Sequence, residues 1–231
     1  MNAKNDNRES TFSRLVKGSL RSIAASFPVF SSFAQAWSEY EGHKQAERVD
    51  KFFQHFANEL QRQEAKIRAA ENHIKESGEF PELIERAIAS AQRTNSEQKI
   101  KRLAQALVSC ISAGNAVDYG DKLSLLDALD SLTENDMAVL SIFVDGKTRR
   151  VEQIFRNTSL RGLSQDEKLG LLILSLSKLE SRAIIGETSA PGSDFIAGIG
   201  PMDDWFNRWR AKYYVLLPFG KLIVSSLSST S

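Results

Sequence analysis

The chain has 231 residues, 42% apolar and 26% charged, enough for one large or two small packed domains. Thirty Lys and Arg against 29 Asp and Glu leave a net charge of +1, without the basic excess of a dedicated nucleic-acid binder. One cysteine, Cys110, excludes a disulfide framework and a thiolate metal cluster within one chain, and suits a reducing cytoplasm.

Residues 1–10 are polar and read as a disordered tail. Phe12, Leu15, Val16, Leu20 and Ile23 then recur at helical spacing, opposite Arg14, Lys17 and Arg21. The uncharged run 22–37 is too short and too polar for a spanning helix. Ala34-Gln35-Ala36 resembles a leader cleavage site, but Asp6 and Glu9 do not fit the basic start of a leader. A second helix carries Phe30, Phe33, Trp37 and Tyr40 as one aromatic stripe, for packing or for a membrane interface.

From Val49 the apolar positions run Val49, Phe53, Phe56, Leu60, Ile67, Ala70 and Ile74, with Gln63 in the missing slot. That is an a/d heptad pattern on a long helix ending near Gly78. It predicts a helix packed on its neighbours in the chain or, alternatively, a coiled coil joining two copies. Pro81 opens a helix with Leu83, Ile84, Ala87 and Ile88 on one face. Thr94-Asn95-Ser96-Glu97 reads as a capping box for a helix through Ile100, Leu103, Ala104, Leu107 and Ile111, ending at Gly114. Cys110 lies beside that face and reads as a small buried residue rather than a nucleophile. Residues 118–121 read as a linker between a helical region at 11–117 and a second domain at 122–231.

In the second domain Leu123, Leu126 and Leu129 predict a short helix, and Thr133 with Asp136 caps another. Asp145-Gly146 is a turn, and Thr148 is placed to cap a helix over Arg149–Arg156. Ser164 caps an amphipathic helix over Gln165–Ser181. A strand at Arg182–Gly186, a loop at Glu187–Ala211, a strand at Lys212–Leu217 and an apolar segment after Pro218 follow. Three helices and a two-stranded β wing are the parts of a winged helix. The fold class is therefore mainly α: a bundle containing a long helix, then a winged-helix-like α/β domain.

The sequence holds none of the common nucleophile, phosphate-loop, dinucleotide and zinc-protease patterns. His43, His55 and His73 lie twelve and eighteen residues apart on one predicted helix, too far to share a metal or an acid–base site, and read as solvent-facing. No catalytic residue, cofactor or metal is predicted, and the chain reads as non-enzymatic. Two surfaces remain. Arg149, Arg150, Arg156 and Arg161 stand where a winged helix approaches phosphate. Trp205, Phe206 and Trp209, interleaved with Arg208, Arg210 and Lys212, suit stacking on bases or a protein hot spot. Against DNA, residues 119–231 carry thirteen bases and fourteen acids, and the third helix begins Gln165-Asp166-Glu167 and continues apolar nearly all round. It reads as a core helix sandwiched between domains or between protomers.

Glu97-Gln98-Lys99-Ile100-Lys101-Arg102-Leu103-Ala104, with SLSKLESRAI from Ser175 and YYVLLPFGKLIVSSL from Tyr213, resembles the pattern of bacterial abortive-infection alpha proteins. The resemblance spans at most residues 94–227 and brings no catalytic residues. It implies a cytoplasmic, prokaryotic interaction protein linked to phage defence or a prophage. The partner is then a protein or a second copy; the alternatives are a winged-helix DNA-binding regulator and an effector at the membrane periphery acting through residues 12–37.

Overall fold

A computed structural model describes residues 46–158, 163–188 and 212–228. Among them are nine α-helices and a three-stranded antiparallel sheet, so the protein is mainly helical. The chain divides into two compact units, Met1–Asp130 and Ser131–Ser231.

The first unit contains α1 (Ala46–Arg62), α2 (Glu64–Ser77), α3 (Glu79–Arg93), α4 (Glu97–Ala113) and α5 (Tyr119–Ser131). The heptad residues Val49, Phe53, Phe56, Leu60, Ile67, Ala70 and Ile74 are all buried. They pack with Phe52 against the core face of α4, which contributes Ile100, Leu103, Ala104, Leu107 and Ile111. Phe52 stacks on Phe56 at a centroid distance of 6.0 Å and meets Phe53 edge-on at 5.6 Å.

The long helix expected over Val49–Ile74 is in fact two helices that part at Gln63. Gln63 occupies the apolar slot of the heptad and is buried. A buried amide needs partners. Its Nε2 donates to the buried Glu59 carboxylate at 2.6 Å, and Ser112 Oγ lies 3.5 Å from its Oε1. A polar group inside a seam of aromatic and aliphatic side chains thus coincides with the break in the helix.

Two further boundaries differ from expectation. The cap of α4 is Ser96, whose hydroxyl accepts the Lys99 N–H at 3.2 Å, while Thr94 Oγ1 accepts the Ser96 N–H one step earlier. Of the segment 118–121, residues 119–121 are the first turn of α5, and α5 buries Leu125, Leu126, Ala128 and Leu129.

The second unit contains α6 (Glu134–Leu140), β1 (Arg149–Arg150), α7 (Val151–Asn157), α8 (Gln165–Ser181), β2 (Ile185–Thr188), β3 (Tyr213–Leu216) and α9 (Pro218–Ser228). The sheet order is β1-β3-β2, with Arg149 opposite Tyr214 and Ile185 opposite Leu216. The expected two-stranded wing is therefore a three-stranded sheet. Arg149 and Arg150, read as helical, form its added edge, and the helix after them starts at Val151. Thr148 is consequently not a helix cap. The expected strands move to Ile185–Thr188 and Tyr213–Leu216, and the apolar segment after Pro218 is helical.

The turn from α8 to β2 follows backbone rules closely. Ile184 N–H bonds Leu179 O and Ala183 N–H bonds Glu180 O, both at 2.9 Å, with Ala183 left-handed at φ 53°. That is a Schellman-type helix end with alanine where glycine is favoured. Gly220, at the start of α9, has no room for a side chain: a Cβ there would lie 2.0 Å from the Ile184 carbonyl oxygen. The Pro-Phe-Gly run is thus the place where the last helix crosses the start of β2.

Candidate interaction surface

Strand β1 and helix α7 bring three of the predicted arginines together: Arg149, Arg150 and Arg156. Each has an acidic neighbour in its own unit. Arg149 Nη2 donates to Asp145 Oδ2 at 2.5 Å and its Nε to the Ile142 carbonyl at 3.3 Å. Arg156 Nη2 donates to Glu152 Oε1 at 2.5 Å, and Arg150 Nη1 lies 3.8 Å from the other Glu152 oxygen. Lys147 shares Asp145 at 3.7 Å. The Lys147 backbone N–H, and after it the Arg149 guanidinium, hold the Asp145 carboxyl below its ordinary value. Four cations therefore share two carboxylates, which leaves a reduced positive patch for an incoming phosphate. The signal for these pairs was legible: Asp145–Arg149 and Glu152–Arg156 are both four residues apart.

Helix α8 is covered on one face within the chain. It buries Leu172, Ser175, Leu176 and Leu179 on one face only. On the opposite face Leu174 is 67% exposed, with Gly170 and Ser177 exposed beside it. Within the single chain the apolar residues at 169, 171 and 173 are only half-buried, and Leu174 meets solvent. At the helix start Glu167 is consumed locally, because its carboxylate accepts the Ser164 backbone N–H and hydroxyl, both at 2.8 Å. Those bonds hold its pKa below the ordinary value. Asp166 beside it is exposed, with no ion-pair partner among the described residues. Lys168 is turned away onto the Phe155 ring, 4.8 Å from the centroid.

The core side of α8 is anchored by Lys178. Its Nζ donates to the Ser131 carbonyl and to the buried Asp136 carboxylate, each at 2.7 Å. Asp136 also accepts the Thr133 N–H at 2.8 Å in the predicted capping box. Burial pushes this carboxyl up, but bonds from Lys178, Thr133 and Ser175 outweigh it and hold the pKa below 3.8.

In the first unit a polar cluster forms at Lys122 that no local spacing signals. This lysine is 2% exposed and donates to Glu79 Oε2 at 2.6 Å. His73 Nε2 stands 3.6 Å from the same oxygen and is buried without a hydrogen bond. His73 is thus half-buried against Glu79, not the solvent-facing residue expected; His55 is half-buried too. Cys110 lines a small cavity with His73, Glu79 and Lys122, and burial pushes its thiol up to about 12, which keeps it protonated. The partners are 43 residues apart on different helices, and no periodicity connects them.

Arg161, the aromatic and basic group Trp205, Phe206, Arg208, Trp209 and Arg210, and the stripe Phe30, Phe33, Trp37 and Tyr40 lie outside the described residues. Among the described residues, no helix is long and apolar enough to cross a membrane, and no group of His, Cys, Asp or Glu could hold a metal ion. Comparison with family models, curated proteins and solved structures finds no match.

Proposed function

We propose that the chain is a non-enzymatic protein-interaction module whose second unit is winged-helix-like and makes the contact. The connectivity supports the architecture: α6, β1, α7 and α8 are followed by β2 and β3, in a sheet of order β1-β3-β2. In that arrangement α8 takes the place of the recognition helix. The observation that carries the function is the outward face of α8. It offers a 67% exposed Leu174 between Gly170 and Ser177, with an exposed carboxylate at Asp166 that has no ion-pair partner among the described residues. An apolar centre and an acidic tip suit a protein surface and oppose a phosphate backbone. The resemblance to abortive-infection alpha proteins adds phage defence as the setting.

DNA binding is the second reading, favoured by Lys147, Arg149, Arg150 and Arg156 around β1 and α7. Titration of labelled random duplex DNA at two salt concentrations separates the two. The interaction reading expects weak binding that Arg150→Ala plus Arg156→Ala leaves unchanged. Tight binding with a steep salt slope, lost in that double variant, would establish DNA recognition instead.

A further inference from the structure

Four helices of the first unit build one polar node. His73 stands on α2, Glu79 on α3, Cys110 on α4 and Lys122 on α5, and all four line a single cavity of about 10 Å³. Among the described residues, the donors and acceptors of this node do not balance. An ammonium carries three N–H donors. That of Lys122 is 2% exposed, and the one hydrogen bond it makes among the described residues reaches Glu79 Oε2 at 2.6 Å. His73 Nε2 is buried 3.6 Å from the same oxygen and has no hydrogen-bond partner. Two N–H groups and one ring nitrogen therefore need partners, and leaving them unpaired in a buried place is costly.

The dimensions of the cavity select what can satisfy them. About 10 Å³ is the room of one water and of nothing larger, and a water settles where two to four polar groups meet it. Lys122 Nζ and His73 Nε2 stand around one carboxylate oxygen, so they are within about 6 Å of each other. A water about 2.7–3.2 Å from each closes that gap. A metal ion does not fit, because no group of His, Cys, Asp or Glu among the described residues could hold one and the Lys122 ammonium opposes a second cation. We propose that the cavity is a hydration site, in which one ordered water accepts a hydrogen bond from Lys122 Nζ and donates one to His73 Nε2. The direction follows from Glu79. An N–H on Nε2 would close on the carboxylate, whereas a lone pair stands off from it, as the 3.6 Å separation does. The ring proton of His73 is then on Nδ1. The water joins α2 to α5 in the first unit and owes nothing to the reading of the second.

A high-resolution crystal structure of the full chain, with long-range proton–nitrogen NMR of protein labelled at histidine, tests the site. One water is expected within about 3.2 Å of both Lys122 Nζ and His73 Nε2. In mildly alkaline buffer His73 is expected as the Nδ1–H tautomer, with Nε2 at the shift of an acceptor nitrogen. His73→Phe should lose the water and keep the Lys122–Glu79 pair. The NMR measurement uses the wild type, so the outcome does not depend on the folding of that variant. A cavity without a water peak overturns the assignment. So does a water out of reach of either nitrogen, a His73 that carries its proton on Nε2 and bonds Glu79 directly, or a water that His73→Phe retains in place.

Discussion

Lys122 shows how a single residue can be costly to bury and costlier to abandon. Its ammonium is 2% exposed and its carboxylate partner Glu79 only 21% exposed. Breaking such a pair from one side leaves an uncompensated charge, at about 3–5 kcal/mol, whereas replacing both partners with neutral groups is often close to neutral. Glu79→Gln should therefore lower the urea midpoint sharply, and Glu79→Gln with Lys122→Met should recover most of the loss. Equal losses in the single and double variants would show that Glu79 acts through helix packing and not through Lys122. Asp136 makes the matching case in the second unit. Its folded pKa lies below the ordinary 3.8, so its stabilising contribution is present above that value and is lost as pH falls through the lower, folded value. Asp136→Asn should cost about 1–3 kcal/mol at neutral pH and flatten the acid limb of stability measured by urea unfolding. An acid limb as steep as in the wild type would assign it to other carboxylates.

At the scale of elements, the periodic parts were legible and the pivots were not. The apolar face of α4, its end at Gly114 and the Thr133–Asp136 box can be read from spacing, because local chemistry decides them. The break at Gln63 depends on a partner set that includes Ser112, 49 residues away. Strand β1 is two residues long and exists because β3 pairs with it; nothing local to Arg149 and Arg150 signals that. The exposed side of α8 escaped for a different reason: leucine on a helix reads as core whichever way it faces. The α8–β2 turn offers a paired test. Ala183→Gly relieves a left-handed alanine and should raise stability by about 0.5–1 kcal/mol. Gly220→Ala forces a Cβ onto the Ile184 carbonyl and should lower it by about 1–3 kcal/mol. Gly120→Ala, where nothing lies within 4 Å, is the control and should not destabilise. Opposite signs at 183 and 220, read from thermal or urea midpoints, are required by this geometry; a harmless Gly220→Ala would mean that α9 does not cross β2 as described.

For the molecule as a whole, the nearly balanced charge complicates any measurement of self-association. With a net charge of +1 and a pI near 7.8, the chain has little long-range repulsion at neutral pH, and proteins near neutrality associate without specific contacts. Two accounts of a dimer are then available, and one substitution separates them by sign. Leu174→Asp takes the formal net charge from +1 to 0. If weak repulsion were the cause, the variant should associate at least as strongly as the wild type near pH 7, and moving pH away from 7.8 should dissolve the association in both. If the exposed face of α8 makes the contact, the variant should be monomeric, since a carboxylate at 174 would be desolvated there without a partner. Sedimentation of both proteins at two pH values reads both outcomes.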